Sequence, residues 1–280
     1  MKWIKRTAAL LVSLLLLPTI AQARTGYKLP PQEGRADPDI RLISPREAEK
    51  AEKLPELTVV EPQRAETPER AEAPERDGFR FPEAEDWQLL LVNPWNELPE
   101  DYEVTLKALP DGMKVDERAY EDLNAMLEAC RDAGLRPKIC SASRTMSKQT
   151  YLYNNKIARL RNAGYSKKAA EEEAGRWVAR PGTSEHQLGL ALDIVSQSYQ
   201  ALTKKQEKTA EQKWLMEHCW EYGFILRYPS DKSEITGIGY EPWHYRYVGR
   251  DVALDIRDSG LCMEEYLLLR EETLAAEHRL

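Results

Sequence analysis

Six of the seven tryptophans lie at or beyond Trp87, and the exception is Trp3. Large aromatic side chains dominate the burial that holds a core together. A core is therefore expected only in the later part of the 280-residue chain. The folded domain is expected to run from about residue 81 to 270, with a helix at Met263–Arg270 as its last element. That is roughly 185 residues, an ordinary size for one domain. A charged tail, 271–280, follows it and contains His278.

The earlier part of the chain has a different composition. Lys2, Lys5 and Arg6 precede an apolar run from Thr7 to Ile20, and Ala21-Gln22-Ala23 follows. That order reads as a secretory signal over residues 1–23. The other reading is an uncleaved anchor, for which the run is short. Residues 24–80 are rich in Pro, Glu, Ala and Arg. Ala65-Glu66-Thr67-Pro68-Glu69-Arg70 is nearly repeated at Ala71-Glu72-Ala73-Pro74-Glu75-Arg76. Such a segment buries too little apolar surface to fold, so a disordered tether is expected. The formal charge is −7, and removing the three cations of the leader takes it to −10. An acidic chain without a basic block does not fit a nucleic-acid partner.

Hydrophobic period and turn residues give a coarse map of the domain. Strands are expected at Leu89–Val92, Tyr102–Leu106, Leu135–Cys140, Gly189–Val195, Phe224–Arg227 and Trp243–Val248. Asp116 can cap a helix carrying Ala119, Leu123, Met126, Leu127 and Cys130 on one face, with Gly134 as its stop. Ser147 can cap a helix to Asn162, and Ser166 another to Ala179. Thr209-Ala210-Glu211-Gln212 is a capping box opening a helix to Tyr222. The irregular order of helices and strands favours an α+β fold with a largely antiparallel sheet.

Two segments concentrate the chemistry: Ser184-Glu185-His186-Gln187-Leu188-Gly189-Leu190-Ala191-Leu192-Asp193 and Gly239-Tyr240-Glu241-Pro242-Trp243-His244-Tyr245. Asp193 sits in an apolar run, where an unpaired carboxylate would be costly. His186, Asp193 and His244 offer two nitrogens and a carboxylate, a donor set suited to an open tetrahedral zinc site. Spacing alone leaves an ordinary hydrogen-bonding role for these histidines equally open. The chain must turn between His186 and Asp193, and Gly189 allows it. Residues three apart face opposite sides of a regular strand. Glu241 can therefore join His244 only if regular strand begins near Trp243. Trp243 and Tyr245 are then expected to point away from the metal. His218 shares a helical face with Trp214, Leu215, Cys219 and Tyr222 and is expected in the core.

These segments, with Gly223-Phe224-Ile225-x-Arg227-Tyr228-Pro229 and Glu241-Pro242-Trp243-His244-Tyr245-Arg246-Tyr247-Val248-Gly249, resemble VanY-type D-alanyl-D-alanine carboxypeptidases. These are zinc peptidases of the group that includes lysostaphin and the hedgehog signalling domain. The resemblance covers about Leu91 to Leu267. It implies a hedgehog/DD-peptidase-like α+β fold, a central sheet flanked by helices, and a monomer. It implies one zinc ion on His186, Asp193 and His244, with Glu241 as catalytic base. Ser141-x-x-Arg144 matches the family's substrate-binding arginine motif, with Gln149 and Ser184 implied at the substrate. One departure is Ser143, where the family has an aromatic directly before the arginine. The implied activity is removal of the terminal D-Ala from peptidoglycan stem peptides outside the cytoplasm. Alternatives are an L,D-carboxypeptidase on tetrapeptide stems, a non-catalytic zinc-stabilised binding module, or an adaptor working through residues 24–78. An exported chain permits disulfides, and Cys130–Cys140 and Cys219–Cys262 are the expected pairs. Four buried thiols are the other outcome.

Overall fold

Asp116 opens the first long helix as its side chain suggests. Its Oδ1 accepts the Arg118 N–H at 2.9 Å. A single 3-10 turn, Glu117–Ala119, then leads into α1, Tyr120–Asp132. The apolar residues Ala119, Leu123, Met126, Leu127 and Cys130 are all buried. Gly134 ends the helix at φ 80°. The structure, a computed structural model, describes residues 81–277. The expected leader, the tether and His278 lie outside the described residues.

The helices longer than one turn are α1, α2 (Met146–Asn162), α3 (Lys167–Gly175), α4 (Ala210–His218), α5 (Arg250–Ser259) and α6 (Met263–Glu277). A two-stranded antiparallel hairpin joins β1 (Leu106–Ala108) to β2 (Lys114–Asp116). The main sheet contains β3 (Pro137–Ser141), β4 (Ala191–Ser196), β5 (Phe224–Leu226) and β6 (His244–Tyr247). Their order is β3-β4-β6-β5, and every pairing is antiparallel. The α+β fold with an antiparallel sheet flanked by helices is as expected.

The pleat gives the sheet two different faces. Ile139, Leu192, Ile194, Tyr245, Tyr247 and Phe224 join Leu123, Met126 and Leu127 of α1 and Leu215 of α4 in the main core. Asp193, His244 and Arg246 alternate with them and so face the other way. All six residues of β4 are buried, so both faces are covered. A second core packs Leu89, Leu91 and Ile225 against Val252 and Ile256 of α5 and Met263 and Tyr266 of α6. Gln212 of α4 ties the layers together, donating to the Ile194 carbonyl and accepting from the Tyr245 hydroxyl at 2.7 Å.

Several expectations are corrected. Leu89–Val92 is not a strand: one helical turn, Asp86–Leu89, gives way to irregular chain. Its apolar residues split between two cores, and the Leu90 carbonyl accepts from Arg246 at 2.9 Å rather than from a strand. Tyr102 lies outside the sheet, with its hydroxyl on the Leu188 carbonyl at 3.0 Å. The cap of α2 is Thr145, not Ser147; Thr145 Oγ1 accepts the Lys148 N–H at 3.2 Å. Helix α3 ends at Gly175 rather than Ala179. Helix α6 continues to Glu277, because Glu271-Glu272-Thr273-Leu274-Ala275-Ala276-Glu277 is rich in helix formers. His218 is half-buried and paired with Glu221 at 2.7 Å, not a core residue.

The expected disulfides are also absent: all four cysteines are free thiols. Cys130 is buried among the core residues of α1, whereas Cys140 follows core-facing Ile139 and is exposed. The pleat thus turns the two thiols apart. Cys219 belongs to the main core, while Cys262 adjoins Met263 of the second.

Two outcomes follow from this architecture. Gly189 has φ +78°, and a Cβ there would lie 2.9 Å from Leu106 Cδ2 and 3.2 Å from the Asp116 nitrogen. Gly189→Ala should cost about 1–3 kcal/mol in urea unfolding, the range for a non-glycine residue forced into the left-handed region. An unchanged midpoint and slope would contradict that strain. Thiol titration of the denatured, unreduced protein should count four thiols; a count of two or none would restore a disulfide.

Candidate metal centre and cleft

Sheet register assembles the site. Asp193 of β4 lies opposite His244 of β6 and, on its other side, opposite Ser141 of β3. An irregularity between Ile139 and Ser141 sets that second pairing. His186 comes from a 3-10 turn, Glu185–Gln187, and the left-handed Gly189 returns the chain into β4. One donor atom from each of His186, Asp193 and His244 lies within 4.8 Å of the others, and all three residues are buried.

Hydrogen bonds orient both rings. His186 Nδ1 lies 2.8 Å from the Ala142 carbonyl. A carbonyl only accepts, so the proton sits on Nδ1 and the Nε2 lone pair is free. That Nε2 is 3.3 Å from Asp193 Oδ2. His244 Nδ1 is 3.1 Å from Asp193 Oδ1 and 3.7 Å from Glu241 Oε2. The imidazole planes are nearly perpendicular, 88° apart with centroids at 4.9 Å. Two imidazole nitrogens and a carboxylate fit zinc by donor chemistry, and the fixed second nitrogen of His186 is the usual companion of such a ligand.

Glu241 reaches the cluster as the irregular entry requires. The His244 N–H donates to the Glu241 carbonyl at 3.1 Å, a turn that ends where β6 begins. Burial pushes the Glu241 carboxyl up to about 8, against the opposing pull of His244. Burial also disfavours a charged His244, but the hydrogen bond to Asp193 and the nearby Glu185 carboxylate hold it up to about 9. Burial and the Arg144 cation push His186 down to about 4. A divalent cation among these groups would oppose the rise at both Glu241 and His244.

The other expected residues divide. Arg144 donates from Nη2 to Asp193 Oδ2 at 2.7 Å and from Nε to Ser141 Oγ at 2.9 Å. It lines the cleft with Ser184. Gln149 is fully buried: it accepts from Arg144 at 3.3 Å and donates to the Ala179 carbonyl at 2.6 Å. It therefore braces Arg144 and is not among the cleft-lining residues. Trp243 is corrected. It precedes the first regular residue of β6 and lines the cleft, whereas Tyr245 is core as expected.

The cleft holds about 560 Å³. Lys156, Arg159, Lys204, Trp177 and Tyr240 also line it. Trp177 is 41% exposed, and a Cβ on Gly239 would sit 2.7 Å from its ring. Tyr228 also lines the cleft, its ring centroid 4.7 Å from that of His244.

A buried ionic chain behind His244 was missed from sequence. Arg227 donates from Nε to Glu185 Oε1 at 2.7 Å and forks onto Glu264 at 2.8 and 2.6 Å. Arg246 donates to the same Glu185 Oε1 at 2.9 Å and to the Gln88 and Leu90 carbonyls at 3.1 and 2.9 Å. The side chains of Glu185, Arg227 and Arg246 are 0% exposed. Burial opposes a charged Glu185, but the two guanidiniums hold its carboxyl well below the usual range. The available signal was a lone arginine in each of two largely apolar strand segments, Phe224–Arg227 and Tyr245–Val248; Glu185 stands in a polar turn and offered none.

The profile of the VanY family, D-alanyl-D-alanine carboxypeptidase, matches residues 112–250. A D-alanyl-D-alanine carboxypeptidase of Enterococcus faecalis is 43% identical over 185 residues, 66% of this chain and 67% of that protein. The solved structure of VanYB in complex with D-Alanine-D-Alanine aligns with a TM-score of 0.61 and 44% identity. It covers 65% of this chain and 97% of that one. A mutant vancomycin-resistance D,D-pentapeptidase VanY in complex with Zn(II) aligns with a TM-score of 0.60 and 44% identity, over 65% of this chain and 99% of that one. The fold is thus that of the DD-peptidase-like zinc peptidases. The chain belongs to the VanY family of D-alanyl-D-alanine carboxypeptidases.

The ionic chain gives a stability prediction. Arg227→Met should cost about 3–5 kcal/mol in urea unfolding, the range for removing one partner of a buried ion pair. A loss below about 1 kcal/mol would contradict a buried ion pair at Arg227.

Proposed function

We propose that this protein is a zinc-dependent D-alanyl-D-alanine carboxypeptidase that removes the terminal D-Ala from peptidoglycan stem peptides. The observation that carries the reading is the convergence of His186, Asp193 and His244 beside Glu241 in a cleft, within a chain of this family. His186 through Nε2, Asp193 and His244 through Nδ1 would hold one zinc ion. When bound, the ion supplies Lewis-acid chemistry, polarising a carbonyl and acidifying water.

The chain's own groups do the rest. Glu241, as carboxylate, takes a proton from the attacking water and delivers it to the departing amine. Arg144 is a permanent cation in the cleft wall, suited to the substrate's terminal carboxylate or to the developing oxyanion. Its bonds to Ser141 and Asp193, and the brace from Gln149, hold the guanidinium in place before substrate arrives. Ser184 contributes wall beside His186. Lys156, Arg159 and Lys204 give the cleft lining cationic groups in an acidic protein, which supports an anionic peptide ligand.

The expected leader at residues 1–23 supports export, with the tether at 24–80 separating the domain from the membrane or the site of release. Among the described residues no helix is long and apolar enough to cross a membrane.

Two measurements test the reading. Glu241→Ala should leave about one zinc per chain but lower turnover by roughly 10²–10⁴, the usual share of a general base. Near-normal hydrolysis of a D-Ala-D-Ala peptide by this variant would remove Glu241 from its role. Incubation of the full chain with muropeptides of defined stem length, read by mass, should show loss of one alanine from pentapeptides. Loss from tetrapeptides alone would identify an L,D-carboxypeptidase. No loss with zinc bound would identify a binding module.

A further inference from the structure

Glu185 uses its two oxygens unequally. Oε1 accepts from both Arg227 and Arg246. Oε2 is buried and has no hydrogen-bond partner. His244 Nε2 is in the same condition, and the two atoms lie 3.6 Å apart. A buried donor or acceptor left unpaired costs about 1–3 kcal/mol. Two such atoms facing each other, a few tenths of an ångström beyond bonding distance, need an account.

The metal centre supplies one. His244 presents Nδ1 to the donor cluster, 3.1 Å from Asp193 Oδ1. An imidazole that gives its Nδ1 lone pair to an ion must carry its proton on Nε2. That proton needs an acceptor in a buried site. Glu185 Oε2 faces it, and the bonds of Arg227 and Arg246 to Oε1 hold the carboxylate in place. His186 has the equivalent arrangement with a neutral acceptor, the Ala142 carbonyl at 2.8 Å.

We infer that Glu185 is a positioning residue of the metal centre: its Oε2 accepts the Nε2 proton of His244 and fixes the tautomer and ring angle that present Nδ1 to the ion. The inference rests on the metal-site reading above. It assigns Glu185 a function besides neutralising two buried arginines. It also makes Glu264 an indirect support, reaching Glu185 only through Arg227.

The test measures zinc affinity of the full chain by competition with a chromophoric chelator. Glu185→Gln, which keeps the size but weakens the acceptor, should raise the zinc dissociation constant about 10–100-fold, the usual cost of losing such a partner. Glu185→Asp keeps the charge but withdraws the oxygen, and should also weaken zinc. Glu264→Gln perturbs the same arginine without touching His244. It should lower the melting temperature while leaving zinc affinity within about twofold. Cobalt-substituted Glu185→Gln should show a shifted visible spectrum, whereas cobalt-substituted Glu264→Gln should match the wild type.

Wild-type affinity in both Glu185 variants would overturn the inference, as would equal weakening in Glu264→Gln. His244→Ala separates this from the reading beneath it. Zinc retained there at full affinity would overturn the metal site itself; zinc lost there but unchanged in the Glu185 variants overturns only the positioning role. Should the Glu185 variants not fold, nitrogen-15 NMR of the zinc-loaded wild type decides. A slowly exchanging, strongly deshielded proton on His244 Nε2 supports the inference, and a protonated Nδ1 overturns it.

Discussion

One carboxylate organises much of this interior. Glu185 receives two guanidiniums that are wholly withdrawn from solvent, and one of them passes on to Glu264 on α6. Desolvating these four charges is expensive, and a buried ion pair often returns no net stability over an apolar replacement. What the arrangement does supply is geometry. Arg246 on β6, Arg227 just beyond β5 and Glu185 in the turn before β4 can all be satisfied only when these elements take one relative position. The carbonyls of Gln88 and Leu90 complete the shell and hold the start of the domain against the sheet.

The antiparallel register translates that constraint into a site. Because residues alternate between faces, Tyr245 and Tyr247 build the apolar core while His244 and Arg246 face the polar side. The same alternation in β4 sends Leu192 and Ile194 one way and Asp193 the other. A single rung, Ser141–Asp193–His244, therefore carries two donor residues and a hydroxyl that anchors Arg144. A slip of one residue would exchange core and site together. Gln212 guards against this by bonding the backbone of β4 and the side chain of β6 at once.

Much of this was legible in the sequence. Asp193 stood out because an aspartate in an apolar strand demands a partner. Gly189 was readable as the turn that brings His186 back, and Glu241 could join His244 only through an irregular strand entry. The errors have physical causes. Leu89–Val92 is apolar enough for a strand, but its residues serve two cores and its carbonyl is claimed by an arginine from afar. Trp243 was assigned by strand alternation one residue before alternation begins. Closeness along the chain, as between Cys130 and Cys140, says nothing about which face of β3 a thiol occupies. Gln149, implied at the substrate by the resemblance, holds Arg144 on one side and the Ala179 carbonyl on the other. Glu185 was passed over because pairing partners 42 and 61 residues away have no local signature.

The separation of the donors has a consequence for when the centre can exist. His244 and Asp193 are 51 residues apart and meet only once β4 and β6 have paired. The unfolded chain offers no preformed cage, so ion capture and strand pairing are thermodynamically linked. An ion that binds only the native arrangement adds to its stability by mass action. A chain exported unfolded would consequently acquire its cation from the medium on the far side of the membrane. The concentration of free metal there, rather than in the compartment of synthesis, would set how much of the population is held folded.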